Sequence, residues 1–71
     1  MLAKYRVTLW ESERGWGRKP IVDRDFDSFE EAQRFFRDEN AKNNEPTVPD
    51  YYIYAVAPQL VDAERDPPRD Y

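Results

Sequence analysis

The chain has 71 residues, 39% of them hydrophobic and 37% charged, and contains neither His nor Cys. That length holds one small domain, and the composition excludes zinc sites of the usual ligand type, disulfides, thiol chemistry and Ser-His-Asp or Cys-His nucleophiles. Fifteen acidic against eleven basic residues leave a formal charge of -4, which argues against a general binder of phosphate backbones.

From the N-terminus, Tyr5, Val7 and Leu9 alternate with Lys4, Arg6, Thr8 and Trp10. This period of two predicts a half-buried strand over residues 3–11. Residues 12–20 hold both glycines, Gly15 and Gly17, and Pro20, which predicts a long flexible hairpin loop. Alternation resumes from Ile21 to Phe26, where the charges predict a weak strand at an edge. Ser28 followed by Glu31 forms a capping box, and Asp27, Glu30 and Glu31 complement the positive end of a helix dipole. On a helical wheel Phe29, Ala32, Phe35 and Phe36 share one arc, the predicted core-facing stripe of a helix ending near residues 40–44. A link stiffened by Pro46 and Pro49 leads to Tyr51–Ala57, an aromatic and β-branched run that reads as a central strand stopped by Pro58. Residues 62–71 are polar and proline-containing with little to bury, and are expected to be a disordered tail after a domain spanning residues 1–61.

The order β-β-α-β predicts an α+β two-layer sandwich: a three-stranded antiparallel sheet, order 2-1-3, with one helix on one face. One helix stripe covers one sheet face, so the other is open, with Trp10 and one pair from strand three, Tyr52 and Tyr54 or Tyr51 and Ile53, turned outward.

Asp23, Asp25 and Asp27 at alternate positions suggest a calcium loop. That reading fails, because an EF-hand needs Gly and Glu at the positions where Ser28 and Arg34 stand. The three carboxylates read instead as the charged outer face of an edge strand. Arg14, Trp16, Arg18 and Lys19 set an aromatic among three cations, a combination able to stack on a base or to anchor a protein interface. With Trp10, Tyr52 and Tyr54 they are the candidate partner-binding residues. No catalytic residue, cofactor or metal is expected. The N-terminus lacks the apolar core of a secretory signal and no run approaches a membrane span, which points to the cytoplasm.

The stretches Tyr5–Glu11, Gly15–Gly17, Asp25–Ala32 and Pro49–Tyr54 resemble small bacteriophage-encoded proteins. The ββαβ order with a capped helix after strand two is similar to phage inhibitors of host RNA polymerase, and the Asp25–Ser28 helix entry is similar to one in a small anti-CRISPR protein. This resemblance implies a cytoplasmic, non-catalytic accessory protein that binds and inhibits or redirects a bacterial host protein or complex, with no motif that assigns contact residues. Two alternatives are a nucleic-acid-binding module using the Arg14–Lys19 loop, disfavoured by charge, and a homodimeric structural or virion accessory protein.

Overall fold

The computed structural model describes residues 1–43 and 51–71 of the chain. The link expected at Pro46 and Pro49 lies outside the described residues. The elements run β1 (Ala3–Glu13), β2 (Gly17–Phe26), α1 (Phe29–Ala41), β3 (Tyr51–Ala55) and β4 (Gln59–Asp62). The sheet is antiparallel with the expected order β2-β1-β3, and β4 adds to β1 beside β3. Central β1 thus has β2 along one side and, along the other, β3 at its C-terminal half and β4 at its N-terminal half.

The segment Tyr51–Asp62 is in effect one bent strand. Leu9 pairs with Ala55 and Arg6 with Gln59, a one-residue change of register. The break falls at Ala57 and Pro58, where a proline without an N–H cannot continue the ladder. The single strand expected over Tyr51–Ala57 therefore ends at Ala55 and resumes at Gln59, beyond the proline.

A second register change lies between Leu9 and Trp10: Leu9 pairs with Val22 but Trp10 with Pro20, so Ile21 is the extra residue of a bulge. Pro20 sits beside that bulge, where a missing backbone donor does least harm. The expected long loop is instead a tight turn, because β1 and β2 extend to Glu13 and Gly17. The amide of Trp16 donates to the carbonyl of Glu13 at 3.0 Å, and Gly15 and Gly17 take φ of 86° and 90°. Glycine reaches these values without the Cβ penalty, and a type II turn requires such a residue at its third position.

The helix begins as expected, with the Ser28 hydroxyl accepting from the Glu31 amide at 3.2 Å. Its apolar stripe lies on the sheet face carrying Tyr5, Val7 and Leu9. Val7, Ala32 and Ala55 are buried, with Leu9, Phe26, Phe35 and Phe36 packed against them. Phe29 is at the rim, half exposed and edge-on to Tyr5. Such a small core is what a chain of this length can build. Among the described residues no helix is long and apolar enough to cross a membrane.

The C-terminal residues depart most from expectation. Residues 62–71 do not trail into solvent. They turn at Ala63–Asp66, where the Asp66 amide donates to the Asp62 carbonyl at 2.9 Å, and cross the face opposite the helix to the outer edge of β2. There Asp70 pairs with Val22. Composition alone predicts disorder because the segment has little apolar area to bury, yet here it is ordered through ionic and backbone hydrogen bonds.

Candidate functional site

Register decides which candidate residues meet. Residues opposite one another in an antiparallel pair share a face. Trp10 lies opposite both Pro20 and Tyr54, and Ser12 opposite Arg18 and Tyr52, all on the face away from the helix. The Tyr52 and Tyr54 rings stand 5.9 Å apart. The open choice between strand-three pairs is thus resolved by packing: Ala55 is buried under the helix, so Tyr52 and Tyr54 face the other way. Lys19 is separated from this group, because it sits opposite Glu11 on the other face and forms a 3.0 Å ion pair with it.

Trp16 tops the hairpin at 84% exposure and does not fold back onto the sheet. Arg14 adjoins it in the turn, and a hollow of about 230 Å³ beside it is lined by Glu11, Glu13, Arg18 and Lys19. This mixture of charges does not make a track for phosphates. The tip is therefore an exposed indole held on a glycine turn, above an aromatic face formed by Trp10, Tyr52 and Tyr54.

A second polar centre was not foreseen from the sequence. Arg6, in the middle of β1 and facing away from the helix, is 7% exposed, and Asp23 is 4% exposed. Arg6 Nε and Nη2 donate to the two oxygens of Asp25 at 2.8 and 3.0 Å, a bidentate fork. Its remaining donors go to Asp66, Nη1 to the carboxylate at 3.3 Å and Nη2 to the backbone carbonyl at 2.6 Å. The Asp23 carboxylate accepts from the Thr8 hydroxyl at 2.7 Å and from the Arg69 amide at 3.0 Å. Hydrogen bonding to Asp25 is the main reason the Arg6 pKa is raised above its ordinary value, with burial opposing it and the nearby carboxylates adding to it.

Asp23 and Asp25 are thus not the solvated outer face expected of them. They are the covered counter-ions of a central arginine, while Asp27 pairs with Lys4. A cue was present in the alternation that puts Arg6 and Thr8 on one face of β1 and Asp23 and Asp25 on one face of β2. The bulge at Ile21 obscured it. Extended unbroken from Glu13 opposite Gly17, the hairpin register would set Arg6 against Arg24, whereas the extra residue sets it against Asp25.

Asn40, in the last turn of α1, also contacts the sheet. Its side chain donates to the Ala55 carbonyl at 3.1 Å and accepts from the Ala55 amide at 2.8 Å. Asn43 donates to the Ile53 carbonyl at 2.6 Å. Asn40 in the last turn of α1 and Asn43 just beyond the helix thereby occupy the outer edge of β3 as a neighbouring strand would.

No protein-family model, no curated protein and no solved structure matches the chain.

Proposed function

We propose that the chain is a non-catalytic binding protein that presents the tip and aromatic face of the β1–β2 hairpin to a protein partner. In keeping with the phage-like pattern of the sequence, the partner is a bacterial host complex that the chain inhibits or redirects. The observation that carries this reading is Trp16, a large apolar side chain at 84% exposure on a tight turn that orders its backbone. Tryptophan and arginine dominate the energetic centres of protein interfaces, and here Trp16 is flanked by Arg14 and Arg18. A tightly turned hairpin also loses little conformational freedom on docking. The ion pair between Lys19 and Glu11 favours a protein surface over a nucleic acid, since it occupies one of the cations a phosphate would need.

The test places a photoreactive phenylalanine at position 16 of the full chain in bacterial cells, with the same group at position 34 on the exposed side of α1 as control. One discrete cross-linked host protein is expected from position 16 and none from position 34. Absence of a discrete product from position 16, or the same products from both positions, overturns the reading. Trp16→Ala should weaken capture of that partner by about 30-fold, the effect of losing a hot-spot side chain worth ~2 kcal/mol.

A further inference from the structure

The two edges of the sheet are closed by different means. At β3 the cover is Asn40, carried on a helix that is itself packed into the core, and Asn43 just beyond its end. At β2 the cover is the segment Arg69–Tyr71: Asp23 donates its amide to Arg69 at 2.8 Å, and Tyr71 donates its amide to Ile21 at 2.8 Å. Between this short pairing and the Asp66 anchor on Arg6 stand Pro67 and Pro68, which have no amide hydrogen to donate. Every residue from Glu64 to Tyr71 is exposed. A cavity of about 200 Å³ lies in this region, lined by Arg6, Thr8, Asp23, Asp66 and Tyr71 among others. The segment therefore covers a charged cluster, and the contacts that hold it there are hydrogen bonds and ion pairs. Lifting it uncovers groups that water can solvate, and the apolar core under α1 is undisturbed.

We propose that Asp66–Tyr71 is a releasable strap that holds the β2 edge in place of an extended strand of the partner protein. Release frees the Asp23 amide, the Ile21 carbonyl and the outward donors of Arg6. The occupant they suit is an extended segment carrying a carboxylate three residues before the stretch that pairs with the edge, the spacing of Asp66 to Arg69 in the strap itself. Main-chain pairing at an exposed edge would then supply affinity, and the buried arginine selectivity. The strap's opening is a property of this chain alone. Its role as competitor rests on the binding function proposed above.

Hydrogen exchange on the full chain tests the opening. The Asp23 and Tyr71 amides are expected to exchange about 100-fold faster than the amide of Val7, which is wholly buried in the central strand and paired with Arg24. Asp66→Asn should speed the first two severalfold and leave Val7 unchanged. Equal exchange at Asp23 and Val7 in the wild type overturns the proposal, because the strap would then leave only when the whole domain unfolds.

The competitor role is tested by Val22→Cys with Asp70→Cys. The two residues face each other across the bridge, at a spacing disulfides accept, and the chain has no other cysteine. Oxidation should slow Asp23 exchange to the Val7 rate and reduce cross-linking from position 16 at least tenfold, with reduction restoring both. Unchanged cross-linking in the locked form overturns the competitor role. Failure of the binding reading has a different signature: no partner from position 16 in either redox state, while exchange still reports whether the strap opens.

Discussion

Val7 and Arg6 are neighbours in the central strand, and each is almost wholly buried, yet they point to opposite faces of the sheet. Val7 points toward α1 and meets Ala32, Ala55 and a ring of aromatics. Arg6 points away and meets Asp25, Asp66 and, at 3.9 Å, Asp23. One face is closed by a helix whose apolar stripe makes closure favourable. The other is closed by a polar strap that has no such incentive, and there hydrogen-bond geometry substitutes for hydrophobic area. A buried ionic cluster returns little net stability after desolvation, but it restricts which arrangement is tolerated, since any segment over Arg6 must satisfy the donors that Asp25 leaves open. The helix face therefore gives the fold its stability, and the ionic face gives the C-terminal segment its position.

Breaking each face separately should expose this division. The largest effect is expected from Arg6→Ala, which leaves Asp23 and Asp25 covered without their cation. Loss of about 3–5 kcal/mol is expected in urea unfolding, the cost of removing one partner of a buried ion pair. Arg6→Lys should recover only part of this, because an ammonium cannot reproduce the fork to Asp25. Val7→Ala on the other face should cost about 2 kcal/mol, two carbons of lost transfer energy plus a cavity term, with strap exchange at Asp23 unchanged relative to global unfolding. The raised pKa of Arg6 also fixes a sign. Its stabilisation is fully present below the ordinary guanidinium value and is lost only as pH climbs through the higher folded value. Arg6 therefore adds no slope to stability through the neutral and mildly alkaline range, and a pH series of urea midpoints for wild type and Arg6→Lys checks it.

The helix face was legible in the sequence and the ionic face was not. Alternation of Tyr5, Val7 and Leu9, the Ser28–Glu31 cap and the Phe35–Phe36 stripe each report a local period that burial reinforces, so strand order, helix start and core could be read directly. The Arg6 cluster depends instead on pairing across 19 residues to Asp25 and 60 to Asp66, and on a bulge that shifts register by one. No local period encodes that. The candidate binding residues were legible only as types, an aromatic among cations on a glycine-containing segment; that Trp16 stands exposed on a tight turn came from the structure. That Lys19 lies on the opposite face from Arg18 required β2 to reach back to Gly17, where a loop was expected.

Between the two faces lies the edge of β3, where Asn40→Ala should leave the Ala55 amide and carbonyl without partners, at a cost of about 1–3 kcal/mol. An edge stripped of its cover is also a template for another chain. Light scattering should show concentration-dependent association of this variant and none of the wild type. A monomeric variant of unchanged stability would mean that water replaces the asparagine and that its role at the edge is minor.

The hairpin tip should be the least costly part of the molecule to alter, and that separates it from both faces. Gly15→Ala forces a Cβ into φ of 86°, at about 1 kcal/mol, although no neighbouring atom stands within 4 Å of that Cβ. Trp16→Ala, at a side chain that scarcely touches the fold, should leave the unfolding midpoint within about 0.5 kcal/mol of wild type. A residue that burial would reward, left outside at no benefit to the fold, is what the proposed binding role requires. If Trp16→Ala instead destabilised the chain by more than ~1 kcal/mol, the indole would be packed in solution and the tip would be part of the scaffold, on the same footing as Val7.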